Sequence, residues 1–468
     1  MKIIIIGVGK VGYTLAKTLS GEKNDVVVID KSSEALEKAE DNLDVLCIKG
    51  NGVGANTLFE SGINDADLLI AVTGSDEINM VCCLTAKRLG VKHTAARIRD
   101  PQYAKELLLL KEQIGIDLII NPEHAAADEI VHLINFSPAI NIENFAGGRV
   151  KMAGIKITSD MPIIGQKLRD YFNKNQSPIL IGAVSRDNKI IIPKGDFEIR
   201  DGDIAYIIGK HSSIYNFCKS TGKYSQKYKN AMILGGGRIT YYLTVLLTAM
   251  GMKVKIIEID PKKCEELSEV LDDVLIINAD GTDEEVLLSE NISDMDCFIA
   301  VTGVDEENLL SSLMAKQNGV KKVIAKISRI SYMNVVDNLS IDNIVNPKLI
   351  TVNQILKFTR GNNIESLYKI IEGQAEIGEY IIKDSSCITG KPIKSLGLPE
   401  GTIIATIVRR NEIVVPKGND VIKKGDRVII ITKNGNLENL DECSLGLIGG
   451  SHNELLNSIK KFGDIISL

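Results

Sequence analysis

The chain repeats itself, and any fold assigned to one half must suit the other. Ile3–Gly12 reads IIIIGVGKVG and Met232–Thr240 reads MILGGGRIT, so Gly7 and Gly9 recur 228 residues later as Gly235 and Gly237. Ala71–Asn79, AVTGSDEIN, returns as Ala300–Asn308, AVTGVDEEN, at a shift of 229. Asn121-Pro122 returns as Asn346-Pro347, and Pro193-Lys194-Gly195 as Pro416-Lys417-Gly418. A unit of about half the chain has been duplicated.

Within the first copy, short apolar runs alternate with amphipathic segments. Ile3–Ile6, Val26–Ile29, Val45–Ile48, Leu68–Val72, Thr94–Ile98 and Leu118–Ile120 read as strands. Their apolarity is continuous rather than alternating, which predicts strands covered on both faces. Val11, Leu15 and Leu19 share one helical face, and Ile78–Leu89 and Tyr103–Ile114 have helical length. Such alternation specifies a parallel, doubly wound sheet, and the pattern returns from Ala231 to Val345. Each copy reaches Asn-Pro and then a helical stretch, Glu123–Asn135 or Lys348–Thr359. A smaller module follows, Val150–Lys210 or Gln374–Lys433. Its skeleton pairs Ile163-Ile164-Gly165 with Ile388-Thr389-Gly390, and Asp201-Gly202-Asp203 with Lys424-Gly425-Asp426. Strand-rich with one short helix, it reads as a compact α+β unit.

The expected fold class is therefore α/β: two Rossmann-like doubly wound parallel-sheet domains, each followed by a small α+β domain. The expected boundaries are 1–122 for the first N-lobe, 123–140 for a linker helix and 141–228 for the first C-lobe. The second copy divides into 229–347, 348–364 and 365–434, leaving a tail, 435–468, with no assigned role.

Composition narrows the function classes. The net charge of −6 offers no electrostatic footprint for nucleic acid or anionic lipid. No apolar run approaches the roughly 20 residues that cross a bilayer, and no signal segment precedes the strand starting at Lys2. A cytoplasmic protein without direct membrane insertion is expected. The eight cysteines are scattered without CxxC spacing, and the five histidines show no metal-ligand spacing. Reduced, partly buried thiols and no metal site are expected.

Gly7-Val8-Gly9-Lys10-Val11-Gly12 follows a strand and opens a helix. Gly7 permits the tight turn, Gly9 lets backbone approach a phosphate, and Gly12 allows close helix–strand packing. Asp30 lies 18 positions beyond Gly12, at the end of the second strand. Its carboxylate would accept ribose hydroxyls and repel a 2′-phosphate, favouring NAD or an adenosine nucleotide over NADP. A glycine turn without a ligand is the plain alternative. The second copy has Thr240 for Gly12, Glu258 for Asp30 and Arg238 for Lys10. Helix and strand are expected slightly farther apart there. The two sites should differ in ligand or affinity, unless the second is vestigial.

Asn51 and Asp280, flanked by glycines, follow the third strands at the carboxyl edge of each sheet. They suit an adenine edge or a ribose, and equally a simple turn. Thr73 and Thr302 end the fourth strands; Asp76, Glu77 and Asn79, with Asp305, Glu306 and Asn308, then start a helix, and acidic residues in such a first turn commonly just complement its dipole. Arg97 and Lys326, ending the fifth strands, could reach a phosphate or form exposed salt bridges. No Ser-His-Asp or Cys-His pairing and no histidine shared between copies accompanies these motifs. The nucleotide thus reads as bound but not used, against the alternatives of an NAD-dependent oxidoreductase and of an interaction protein with dead pockets.

The doubled strand–GxGxxG–helix unit, AVTGSDEIN with AVTGVDEEN, and the two small modules resemble TrkA-type proteins. These are cytosolic regulatory subunits of the Trk potassium uptake system, built from tandem RCK (KTN) domains. The resemblance runs to about Lys433 and implies N-lobes that bind NAD(H), ATP or ADP. It implies C-lobes completing a ring, a homotetramer with eight lobes, docked under a transmembrane potassium-translocating subunit of the TrkH type. Carried over by position, the cofactor-binding residues are Gly7, Val8, Gly9, Lys10, Val11, Asp30, Asn51, Thr73 and Arg97. In the second copy they are Gly235, Gly237, Arg238, Glu258, Asp280, Thr302 and Lys326. Some related C-lobes bind cyclic di-AMP, a further ligand that the resemblance brings into view.

Overall fold

The computed structural model describes residues 1–433 except 23, 102, 104–113, 137, 176–177, 223–226, 330, 333–338, 360–363, 371–373, 383–387 and 411. Most of the expected helix 103–114 and the whole tail 435–468 lie outside the described residues. The chain divides into two compact units. One joins Met1–Asn135 to Lys227–Thr359; the other joins Phe136–Gln226 to the described part of Arg360–Leu468.

The first unit holds the two parallel sheets. In the first lobe the strands are β1 (Lys2–Ile6), β2 (Asp25–Asp30), β3 (Leu46–Lys49), β4 (Leu68–Ala71), β5 (His93–Arg97) and β6 (Leu118–Ile120). Helices α1 (Lys10–Gly21), α2 (Ser33–Asn42), α3 (Ala55–Glu60) and α4 (Asp76–Arg88) connect them, and α5 (Pro122–Asn135) follows. The sheet order is 3-2-1-4-5-6, all parallel, with Ile3 beside both Val26 and Leu68. β1 and β4 flank the switch point where such folds bind ligands. One expectation fails here: β3 is an edge strand rather than one covered on both faces, and its Leu46 is exposed.

Along the chain the first small module intervenes before the second lobe. That module contains β7 (Ala139–Phe145), β8 (Val150–Lys156), α6 (Leu168–Asn175), β9 (Ile179–Arg186), β10 (Lys189–Ile191), β11 (Ile204–Gly209) and α7 (His211–Ser220). Its antiparallel sheet runs β10-β9-β11-β8-β7. It starts upstream of Val150 and carries a second helix, α7, beyond the one expected. The second lobe repeats the parallel order with β12 (Asn230–Leu234), β13 (Lys253–Glu258), β14 (Leu275–Asn278), β15 (Cys297–Ala300), β16 (Lys322–Lys326) and β17 (Asn343–Val345). Its helices are α8 (Arg238–Ala249), α9 (Pro261–Val270), α10 (Glu284–Ser289), α11 (Asp305–Gln317) and α12 (Pro347–Thr359). The last module is antiparallel: β18 (Ile364–Ile370), β19 (Ala375–Ile381), β20 (Thr402–Arg409), β21 (Glu412–Val414) and β22 (Arg427–Lys433).

The helices after each Asn-Pro do more than link. α5 buries Ala126, Ala127, Ile130, Leu133 and Ile134, a stripe that joins the core of the second lobe beside Leu243, Leu247 and Ile256. α12 packs on both α5 and α1. Each lobe therefore sends a helix across to the other's glycine-loop helix, and the two lobes of this unit are interlocked. Each small module is pinned by an ion pair between a strand-end arginine and an aspartate 17 residues later. Arg186 grips Asp203 at 2.8 and 2.7 Å, and Arg409 grips Asp426 at 2.9 and 2.7 Å. Both carboxylates are almost fully buried. That explains why Asp203 and Asp426 recur in the two turns.

Candidate functional site

Gly7 sits at φ +96° and Gly235 at φ +101°, a region that only glycine enters without strain. Each turn carries the chain from the end of its strand into α1 or α8. A side chain at Gly9 or Gly237 would meet no protein atom within 4 Å, so both positions face open space. The first N–H groups of α1 and α8 lack intrahelical partners, as at every helix start, and the helix dipole favours an anion there. These are phosphate cradles by shape and by donor set.

Asp30 closes the first loop: its Oδ2 accepts from the Val8 N–H at 2.6 Å and its Oδ1 from Ser32 at 2.9 Å. Glu258 does the same in the second copy, accepting from the Gly236 N–H and, at 2.8 Å, from Asp260. The longer carboxylate fits because Gly236 stands where Val8 does. A Cβ at Gly236 would lie 2.9 Å from Glu258 Oε2. The exchange of Gly12 for Thr240 also has a local answer. A Cβ at Gly12 would fall 1.8 Å from the Gly7 carbonyl oxygen, whereas the Thr240 hydroxyl donates to the corresponding Gly235 carbonyl.

The repeated asparagines of AVTGSDEIN and AVTGVDEEN are buried fasteners, while Asp76 and Asp305 stand in the first turns of their helices. Asn79 accepts from the Thr73 N–H at 2.8 Å and from its hydroxyl at 2.7 Å, and donates to the Arg97 carbonyl at 2.8 Å. Asn308 ties Thr302 to Lys326 in the same way. Asp76 binds the Arg99 side chain and two backbone N–H groups; Asp305 binds the N–H groups of Ser328 and Arg329. These residues set the ends of the fourth and fifth strands against each other, which places Thr73, Arg97, Thr302 and Lys326. Their recurrence at fixed spacing was the available signal, yet their burial was not readable from it.

Arg97 is half-buried and pairs with Glu123 at 2.9 Å, so the salt bridge weighed as the alternative forms but is partly buried rather than exposed. Lys326 donates to the Thr302 carbonyl. Burial first, and then the Lys10 charge set against the nearby Asp305 and Glu123, holds its ammonium below the usual lysine range. Asn51 and Asp280 make turn contacts of their own: Asp280 accepts from the Thr282 N–H at 2.9 Å and its hydroxyl at 2.7 Å. Those hydrogen bonds pull its carboxyl below the ordinary value.

All sixteen residues singled out from sequence, except Val8, line one cavity of about 1170 Å³. The two crevices are thus a single space rather than two separate pockets, because the interlocked helices turn the cradles toward each other. Pro122, Glu123, Pro347 and Lys348 from the starts of α5 and α12 complete its wall. Sequence reasoning took those helices for linkers and missed these residues. Among the described residues, no group of three or more His, Cys, Asp or Glu is arranged to hold a metal ion, and no helix is long and apolar enough to cross a membrane.

Fold and site together define a tandem RCK protein, with paired Rossmann-like lobes whose glycine cradles open on a common cavity. The TrkA-N domain matches residues 3–122 and 231–347, and the TrkA-C domain matches 152–222 and 377–442. The chain belongs to the TrkA family of Trk potassium uptake proteins. It is 40% identical over 440 residues to the Trk system potassium uptake protein TrkA homolog 1 of Methanosarcina mazei, covering 92% of this chain and 97% of that one. It is 34% identical to the TrkA protein of Halomonas elongata, over 92% and 95% of the two chains. Among solved structures, the GsuK RCK domain covers 92% of each chain with a TM-score of 0.61 at 17% identity, a likeness of fold. The GsuK channel bound to NAD matches with a TM-score of 0.61 at 16% identity, over 92% of this chain and 77% of that one.

Proposed function

We propose that this chain is a peripheral regulatory subunit that binds an adenine nucleotide, NAD(H), ATP or ADP, and through it gates a membrane potassium-translocating partner of the TrkH type. One observation carries the reading: both cradles open on a single cavity walled by residues of both lobes. A ligand held there touches both lobes at once. It therefore has different contacts in an open and a closed arrangement of the pair, which is the condition for shifting an equilibrium between them. The proposed ligand contacts are Gly7, Gly9, Lys10, Val11, Asp30, Asn51, Thr73 and Arg97, with Gly235, Gly237, Arg238, Glu258, Asp280, Thr302 and Lys326. Val8 contributes through its N–H to Asp30 instead. Membership of the TrkA family and the fold shared with a channel bound to NAD support this assignment. A homotetramer on the cytoplasmic face of the membrane, presenting eight lobes, completes the proposal. The nucleotide is a lever and is not consumed.

The test uses the full chain with NAD, NADH, NADP, ATP, ADP and cyclic di-AMP in thermal-shift and calorimetric titrations. A specific ligand stabilises the fold by about 2.7 kcal/mol at a hundredfold excess over its Kd. Gly9→Ala and Gly237→Ala are the informative variants. Each adds a methyl group into open space, so the fold should survive while a phosphate is kept off the loop. Unchanged binding in both would refute the cradle assignment. A substrate-dependent change in nicotinamide absorbance would favour an oxidoreductase instead.

A further inference from the structure

The two crevices differ in charge, and the crossed helices decide which charges face which cradle. α12 packs on α1, and α5 packs on α8. The residue after each Asn-Pro therefore stands beside the other lobe's cradle: Lys348 beside α1, which begins at Lys10, and Glu123 beside α8, which begins at Arg238. Lys348 donates to the Ser328 carbonyl at 2.8 Å, and Lys326 to that of Thr302. Burial, followed by the Lys10 charge, also lowers the Lys348 ammonium below the usual range. Among the described residues Lys10, Lys326 and Lys348 form no ion pair, so three cations converge without a paired carboxylate.

Lys348 also contradicts its local setting. A cation in the first turn of a helix opposes the dipole, whereas Glu123 in the equivalent place complements it. Asn346, 6% exposed, caps this helix through Oδ1 and leaves its Nδ2 without a partner among the described residues. At the second crevice the charge changes run the other way. Glu123 already neutralises Arg97. Glu307, whose Oε2 accepts from the Thr302 hydroxyl at 3.1 Å, lines the cavity where the first copy has Ile78.

We propose that the first crevice selects a nucleotide ending in a phosphate monoester, gripped from across the cavity by Lys326 and Lys348, while the second takes a dinucleotide whose phosphates are all diesters. This rests on the nucleotide-binding reading above. A terminal phosphate carries about −1.5 to −2 charges near neutral pH. The first crevice adds Lys326 and Lys348 to the cradle's own Lys10, whereas the second has Arg238 at its cradle and an Arg97 already paired to Glu123. In the second, Glu307 repels that extra charge and Glu123 withholds Arg97 from it, while Arg238 suffices for a diester pyrophosphate.

Calorimetry on the full chain, with ATP and NAD as probes, tests this. The unsubstituted protein should bind one ATP through the Asp30 crevice and one NAD through the Glu258 crevice. Lys348→Glu should weaken ATP by roughly tenfold or more, the effect of reversing one charge in a partly desolvated site, with NAD affinity nearly unchanged. Retained NAD binding also shows that this variant folds. Glu123→Lys should admit a second ATP, raising its stoichiometry from one to two. Equal weakening of ATP and NAD in Lys348→Glu, or loss of ATP in Glu258→Ala but not in Asp30→Ala, would overturn the charge assignment while leaving the nucleotide-binding function standing. Failure of the unsubstituted chain to bind either probe would bring down both.

Discussion

The seam between the interlocked lobes can be probed at one hydroxyl. Tyr242 on α8 occupies the place that Thr14 holds on α1, and it is only 8% exposed. Its hydroxyl donates to the Arg99 carbonyl at 2.9 Å and accepts from Asn121 Nδ2 at 2.9 Å, so it bolts the second lobe onto the ends of β5 and β6. The imidazole of His124 meets the ring edge-on, with centroids 4.9 Å apart. Tyr242→Phe keeps the ring and removes both bonds. At about 1 kcal/mol for each, plus part of the desolvation cost of the two stranded partners, the loss should be about 2–3 kcal/mol. Hydrogen exchange over α5 and α8 is the suitable assay, since a chain of several domains has no single unfolding free energy. Protection there should fall by roughly 30- to 150-fold, at 1.4 kcal/mol per factor of ten. Asn121→Ala, which also removes the Oδ1 acceptor of the His124 N–H, should cost less in the Tyr242→Phe background than on its own, because its Tyr242 partner has already gone. A change below about 0.5 kcal/mol in Tyr242→Phe, or full additivity in the double variant, would refute the bolt. Burial pushes the Tyr242 phenol up to about 12. The folded state then holds this proton more tightly than the unfolded one, so the contribution is intact below pH 10 and is lost between about 10 and 12.

Three further outcomes follow from the packing. Gly12→Ala places a methyl group 1.8 Å from the Gly7 carbonyl oxygen. It should destabilise the first lobe by about 1–3 kcal/mol and abolish first-crevice binding, measured by exchange and calorimetry, in contrast to the fold-neutral Gly9→Ala. Titration with a thiol reagent should label Cys47 and Cys264 in the native protein, whereas Cys82, Cys83, Cys218 and Cys297, buried and with thiols driven upward chiefly by desolvation, should react only on unfolding. Arg186→Gln and Arg409→Gln each strand a buried aspartate that keeps a single backbone donor, from Arg200 or Lys423. Each should cost its module about 3–5 kcal/mol, read as faster exchange in β9 and β11 or in β20 and β22.

Much of the architecture was legible because its determinants are local. Strand residues such as Ile3–Ile6 and Val26–Ile29 are covered on both faces and therefore read as unbroken apolar runs. Edge strand β3 escaped this rule because it has only one neighbouring strand, β2, and lies at the margin of the covering layers. In the site, the glycine turn, Asp30 and Glu258 announced themselves by spacing. Asn79, Asn308, Asp203 and Asp426 recurred just as faithfully, but their work is buried hydrogen bonding, and a polar residue in a turn looks the same whether it faces solvent or core. The paired exchanges Val8 to Gly236 and Asp30 to Glu258 lie far apart in sequence and make sense only once their atoms are in contact.

The amino-acid order alone determined the duplicated four-module plan, the parallel sheets and the two phosphate-binding turns, since each depends on periodicity or on a glycine within a few residues. Only the tertiary structure decided that the turns share one cavity and that Lys348 faces the first cradle and Glu123 the second. Those relations join residues more than a hundred positions apart. They arise because α5 and α12 bury their apolar stripes on the opposite lobe, a choice of partner that no local pattern encodes.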